Sequence, residues 1–152
     1  MESVITIRHA TESDQPAIKI LVRTERLNPH DLNWRNFLVA VDQRGLVGAV
    51  QLRRHVDGSR ELGSLVVKKE ARGQRIASRL IDALISSASE RVLMVTARIH
   101  AAHFRRWGFR PIEPSAAPAP IRRNFLHRQP DQLDRAAHPR ACSAPSDSGS
   151  RR

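Results

Sequence analysis

The sequence contains no tyrosine, only one cysteine, and just 4% aromatic residues. The single Cys142 rules out an internal disulfide framework and a metal site built on paired cysteines. The seven histidines show no paired ligand spacing beyond His100/His103, so no metal is expected. Scarce aromatics and the lack of a recognition-helix signature exclude the common nucleic-acid-reading modules. No apolar run approaches the ~20 residues of a membrane-spanning helix. Met1-Glu2-Ser3-Val4-Ile5-Thr6 has neither the basic start nor the apolar block of a secretory leader, and a cytoplasmic location is expected. The chain has no internal repeats.

What remains is an ordinary globular composition with a strong basic bias. With 152 residues and 40% hydrophobic content, one domain with a proper core is expected. The net charge is +11. Up to Glu113 there are 19 Lys/Arg against 12 Asp/Glu, and from Pro114 onward 7 against 3, so the excess is spread over both parts. Such a surface attracts anions of many kinds without selecting a nucleic-acid sequence.

The most informative stretch runs from Glu61 to Ile85. Leu65, Val66 and Val67 form a short apolar run suited to a buried strand. Lys68-Lys69-Glu70-Ala71 reads as a basic loop of four residues. From Gly73 on, Ile76, Leu80, Ala83, Leu84 and Ala88 fall at helical spacing. A tight turn from strand to helix leaves the first N–H groups of the helix without intrahelical partners, which favours an anion there. Arg72, Arg75 and Arg79 add positive charge, so the element is suited to a phosphate-bearing ligand.

Val67, four residues and then Arg72-Gly73-Gln74-Arg75-Ile76-Ala77 resemble the acetyl-CoA motif of the GNAT superfamily of N-acetyltransferases, Gln/Arg-x-x-Gly-x-Gly/Ala after an apolar strand. Arg72 matches the first position and Ala77 the last. Arg75 stands where the family nearly always has glycine, which lets backbone approach the pyrophosphate. A second match is Ala101-Ala102-His103-Phe104-Arg105-Arg106-Trp107-Gly108-Phe109, similar to the family's short helix ending in an aromatic run and Gly-Phe. Gly108 suits a left-handed helix stop. Phe104 occupies the position where relatives often carry a tyrosine that protonates the departing thiolate, and His103 is its neighbour.

The rest of the chain reads consistently with that resemblance. Val4–Arg8 is predicted as an edge strand, followed by a helix from about Thr11 to Leu27, opened by Thr11 with Asp14 three residues on. Asn36–Val41 and Leu46–Arg53 are strands joined by the turn Asp42-Gln43-Arg44-Gly45, and Val56–Arg60 is a second turn. Arg91–Thr96 follows a helix and should run parallel to Leu62–Val67. Pro114–Pro120 reads as a loop, and Ile121–Leu126 as the final strand of the family's last hairpin. Beyond it the apolar periodicity is lost. The expected fold is α+β: one GNAT-like domain over residues 1–126, with a mixed, mostly antiparallel sheet flanked by helices. The resemblance implies a V-shaped splay between the two parallel strands. Residues 127–152 are expected to form a disordered basic tail.

The resemblance implies an acetyl-CoA-dependent N-acetyltransferase that moves an acetyl group to a primary amine by direct attack in a ternary complex. Acetyl-CoA is the cosubstrate, bound through Leu65, Val66, Val67, Arg72, Gly73, Gln74, Arg75, Ile76, Ala77 and Ser78. The backbone N–H near Leu65 or Val66 would polarise the thioester carbonyl. An ammonium must lose a proton before it can attack. Glu61, the only acid on its strand, is the candidate base, and the alternative is a solvated strand end paired with Arg53 or Arg54. Asp31, Trp34 and Arg35 are candidates for the acceptor pocket. The acceptor is an amine on a small molecule or a protein: a protein lysine, an N-terminal amine, a polyamine, an amino acid or an aminoglycoside. The protein is expected to act as a monomer or homodimer, away from membranes and without specific nucleic-acid contact. Arg75 and Phe104 also support an alternative, a GNAT-fold acyl-CoA-binding or interaction module without turnover.

Overall fold

The computed structural model describes residues 3–27, 29, 31–96, 102–126 and 140–143. They form two compact units, Met1–Arg53 with Gly63–Ser87, and Arg54–Leu62 with Ala88–Arg152.

The first unit opens with strand β1 (Thr6–His9) and helix α1 (Gln15–Thr24), and continues with β2 (Phe37–Asp42) and β3 (Gly45–Arg54). Strand β4 (Arg60–Val67) follows, and helix α2 (Ile76–Ser87) closes the unit. The strand order is β1-β2-β3-β4, with β1 at the edge as expected. β1 and β2 pair antiparallel, as do β2 and β3. Gly45, at φ +115°, closes the β2–β3 hairpin in the left-handed region, and the Asp42 carboxylate accepts the Arg44 N–H at 2.7 Å.

Strand alternation decides what each face meets. Phe37 and Val39 of β2 join Ile18, Leu21 and Val22 of α1, Ala49 of β3 and Val66 of β4 in one buried cluster. Ala40 points the other way and pairs with Gly48. There a β-carbon on Gly48 would stand 3.1 Å from Ile76 Cγ2 and 3.2 Å from Leu80 Cδ1. The missing side chain therefore lets α2 pack tightly on the sheet, opposite α1. Ile76, Leu80, Ile81 and Leu84 are the buried face of α2.

The second unit contains the start of β4, then β5 (Val92–Thr96), β6 (Arg110–Ile112), helix α3 (Ala119–Leu126) and β7 (Arg140–Ser143). Here the order is β4-β5-β7-β6. Arg60, Glu61 and Leu62 pair in parallel with Val92, Leu93 and Met94. β7 lies antiparallel to both β5 and β6. The fold class is the expected one: antiparallel strands with one parallel pair, flanked by helices.

Three expectations change. α1 is shorter than predicted, because Glu12–Asp14 forms a separate 3-10 turn before it. Ile121–Leu126 is part of a helix rather than a strand. The Pro118 carbonyl accepts the N–H of Ile121 at 3.0 Å and of Arg122 at 2.9 Å. Pro120 falls in the first turn, where a missing N–H breaks no bond. Ile121 is fully buried against Leu93 and Ala117. Finally, Arg140–Ser143 adds a strand from the stretch predicted as a tail, so the sheet does not end at Leu126. The remainder of that stretch lies outside the described residues.

Candidate active site

The turn from β4 to α2 is longer than the sequence suggests. Lys69–Ala71 forms a single 3-10 turn, and the helix begins at Ile76 instead of Arg72. Lys68 anchors the loop by donating its N–H to the Val47 carbonyl at 2.7 Å. Ala71 is buried, whereas Arg72, Gly73, Gln74 and Arg75 are exposed. Gly73 takes φ +84° and Arg75 φ +58°. Open space surrounds Gly73, so its backbone angle rather than its size calls for glycine. The Arg75 carbonyl accepts the Arg79 N–H at 3.0 Å, which starts the helical ladder. The N–H groups of Ile76, Ala77 and Ser78 precede that ladder and face the turn.

The arginines around this turn are engaged differently. Arg72 donates from Nη2 to Glu25 Oε2 at 2.9 Å and from Nε to the Val67 carbonyl at 3.3 Å. Arg79 Nη2 donates to the Ile5 carbonyl at 2.9 Å. The Arg75 guanidinium has no hydrogen-bond or ion-pair partner among the described residues. Leu65 and Val67 are partly buried on β4, and Val66 packs into the α1 core.

At the other end of β4, Glu61 is 3% exposed. It is therefore no solvated strand end. One carboxylate oxygen lies 2.8 Å from His55 Nε2, whose side chain is 18% exposed. The turn between them is tightly specified. His55 N–H donates to the Ser59 carbonyl at 3.0 Å, and Gly58 N–H to the His55 carbonyl at 3.0 Å. The Asp57 carboxylate accepts the Ser59 hydroxyl at 2.6 Å and the Ser59 N–H at 2.9 Å. Those two bonds, the hydroxyl's first, hold the Asp57 carboxyl below the usual carboxylate range. His55 was not among the residues expected at the site. Its available signal was the Asp57-Gly58 turn, which folds His55 back toward the start of β4.

A second polar group lies within the first unit. Gln51 is fully buried. Its Nε2 donates to the Asp31 carbonyl. Its Oε1 accepts from Arg53 Nε at 3.0 Å and from Ser64 Oγ at 3.2 Å. Both Asp31 (φ +57°) and Ser64 (φ +46°) are left-handed, so one amide tethers two strained, non-glycine residues. Gly63 is required by space, since a β-carbon there would meet Arg53 Cζ at 3.0 Å. Of the proposed acceptor-pocket residues, Asp31 and Arg35 are exposed and Trp34 packs partly on the α1 core. The Arg35 guanidinium sits 4.6 Å from the centre of the Trp34 ring.

Phe104 and Gly108 follow their expected places. His103–Trp107 is a short 3-10 helix, and Gly108 ends it at φ +81°. Phe104 is buried, edge-on to Phe109 with ring centres 6.2 Å apart. His103 is exposed, with its ring 5.5 Å from Phe104. His100 lies outside the described residues. Among the described residues no three His, Cys, Asp or Glu side chains form a group able to hold a metal. No helix among them is long and apolar enough to cross a membrane.

These elements coincide with a known family. Residues 33–111, just over half of the chain, match the model of the GNAT acetyltransferase domain, and the chain belongs to that family. No curated protein sequence matches it significantly. Among solved structures it is similar to N-acetylglutamate synthase from Neisseria gonorrhoeae complexed with coenzyme A and L-arginine, with a TM-score of 0.74 and 18% identity. That match covers 96% of this chain and 34% of the synthase, so the chain spans about a third of that protein. It is also similar to Rv2747 of Mycobacterium tuberculosis, solved with CoA, at a TM-score of 0.69 and 23% identity over 91% of this chain and 98% of that one. A GNAT-family acetyltransferase of Staphylococcus aureus matches at a TM-score of 0.66 and 17% identity, over 93% of this chain and 98% of the other. At these identities the likeness speaks for the fold.

Proposed function

We propose that the protein is an acetyl-CoA-dependent N-acetyltransferase acting on a primary amine by direct attack in a ternary complex. The β4–α2 turn carries this reading. Arg75 takes up a left-handed backbone, the conformation that the glycine of the family motif permits, so the departure in sequence leaves the turn open. The turn is exposed, basic and directed at the unpartnered start of α2, so the residues present fit a phosphate-bearing ligand.

Arg72, Gly73, Gln74, Arg75, Ile76, Ala77 and Ser78 would hold the phosphates, and the backbone of Leu65, Val66 and Val67 the pantetheine arm, as an added strand would. Bound acetyl-CoA supplies an acyl group activated as a thioester. Glu61 accepts the proton that the incoming ammonium must lose, since an alkylammonium has a pKa of roughly 10. His55 orients the Glu61 carboxylate through the 2.8 Å contact. No covalent enzyme intermediate is required, and Cys142, in β7, has no part in the reaction.

A second reading, a CoA-binding module without turnover, rests on Phe104. That aromatic is a core residue with no proton to give, and the chain holds no tyrosine elsewhere. One experiment separates the two. Acetyl-CoA is titrated into the full-length protein by calorimetry. Thiol release is then followed with the twenty amino acids, spermidine, kanamycin and a lysine peptide. Binding with release supports the transferase. Binding without release from any amine supports the module, and no binding overturns both.

A further inference from the structure

Gln51 lies fully buried in β3, on the face that carries Ala49 toward α1. A buried amide is costly unless its polar atoms are satisfied. Arg53 Nε can only donate, and it meets Oε1 at 3.0 Å. The Asp31 carbonyl can only accept, and it takes Nε2. These two partners fix which way round the amide sits. Ser64 Oγ donates to the same Oε1 at 3.2 Å. The cation on Oε1 also polarises the amide and makes Nε2 a stronger donor. Gly63 leaves the space that the Arg53 guanidinium fills.

The amide thus holds two backbone positions of different use. Ser64 stands at φ +46° inside a strand. Extended residues alternate between faces, yet Gly63, Ser64 and Leu65 are all half-buried in succession, between buried Leu62 and Val66. One left-handed residue breaks the alternation and turns the next peptide, as a bulge does. That peptide carries the Leu65 N–H expected to face the thioester carbonyl. Asp31, at φ +57°, opens the segment 31–35 expected on the amine side. Gln15 of α1 pins the same segment, donating to the Leu32 carbonyl and accepting the Trp34 N–H at 2.9 Å.

We infer that Gln51 is a positioning residue for acyl transfer, whose one side chain sets the kink at Ser64 against the amine-side segment at Asp31. The inference rests on the transferase reading above. Direct attack needs the amine and the thioester carbon in fixed mutual placement, and an error of about 1 Å is costly to the rate. Both tethered residues carry a β-carbon in a backbone region that L-residues avoid, so each relaxes when its hydrogen bond is lost. Relaxation at Ser64 turns the Leu65 N–H away, and relaxation at Asp31 frees the acceptor segment.

The two halves of the tether can be cut one at a time. Ser64→Ala deletes the hydroxyl and keeps a β-carbon at the left-handed position. Ser64→Gly deletes the hydroxyl and the strain together. Gln51→Glu keeps an acceptor for Arg53 and Ser64 but loses the donor to Asp31, because the Arg53 guanidinium keeps the new carboxyl ionised. Thiol release is measured on the full-length protein with the amine panel above, beside acetyl-CoA calorimetry and thermal melting. Ser64→Ala should lower kcat about tenfold, with acetyl-CoA affinity and amine KM within about twofold of wild type. Ser64→Gly should recover kcat to within about threefold of wild type, since glycine holds the kink unaided. Gln51→Glu should raise the amine KM about tenfold and leave kcat within about threefold. A merely structural role would lower the melting temperature of Ser64→Ala and Gln51→Glu while kcat and KM stay at wild-type values, and that result overturns the inference. Ser64→Gly turning over no faster than Ser64→Ala overturns it as well. If wild type releases no thiol with any amine, the transferase reading fails and the inference with it, a result distinct from wild-type turnover by every variant.

Discussion

The two ends of β4 solve opposite problems. Its first residues carry a carboxylate that is almost fully buried, and a half-buried histidine satisfies it at 2.8 Å. Its last residue leads into a turn of exposed cations, where the Arg75 guanidinium has no partner among the described residues. A group meant to take a proton gains from being dry and fixed, because a positioned acceptor needs no reorganisation. A group meant to meet phosphates gains from being wet and uncommitted, because its charge is then neutralised by the ligand. The same strand thus carries a dry, paired carboxylate at its start and leads into an exposed basic turn at its end.

The comparison is broken most strongly at the buried end. Glu61→Gln keeps the size and loses the base, and thiol release should fall by about 10²–10⁴-fold while acetyl-CoA affinity stays unchanged. Equal loss of both would mean that Glu61 is structural. Next comes the support of β5, the strand that pairs with Glu61. A chain ending at Leu126 lacks β7, which pairs with both β5 and β6. We expect a stability loss of roughly 3–5 kcal/mol in urea unfolding, from ladder bonds lost on both edges. An unchanged midpoint would show that the ladder contributes nothing.

The second half of β4 is sharpened by Gln51→Leu. Removing the amide leaves the Asp31 carbonyl, Arg53 Nε and Ser64 Oγ without this partner, at about 2–4 kcal/mol. A melting temperature within a degree of wild type would contradict it. The smallest effect concerns a carboxylate remote from β4. Arg8 and then the Thr11 bonds lower the Asp14 carboxyl to about 2. A lowered folded value means that the stabilisation is present above the ordinary carboxylate range and is lost as pH falls toward about 2. Asp14→Asn should therefore lower stability at neutral pH by less than about 1 kcal/mol and flatten the acid limb, the difference from wild type vanishing as pH falls toward about 2.

Much of this was legible in the sequence, for local reasons. The β2–β3 hairpin is bounded by Gly45, the strand before Lys68 is an apolar run, and Gly108 stops a short helix, all of which depend on residues close in sequence. Arg75 was also legible as a departure, because its position in the motif demanded glycine. The pairing of His55 with Glu61 was not, since it needs the turn geometry as well as the residue types. β7 was hidden more deeply. Arg140-Ala141-Cys142-Ser143 has no alternating pattern, and its partner β5 lies far away in sequence. α3 was misread because six residues with apolar ends suit a strand as well as a helix turn, and the prolines before it were read as loop rather than as a helix start.

The most direct test of the account pairs one titration with one assay. Acetyl-CoA is titrated into wild type and Glu61→Gln, and thiol release is then measured with the amine panel. Equal, salt-sensitive binding by both proteins and thiol release by wild type alone are expected. Absence of acetyl-CoA binding, or undiminished release by Glu61→Gln, would contradict it.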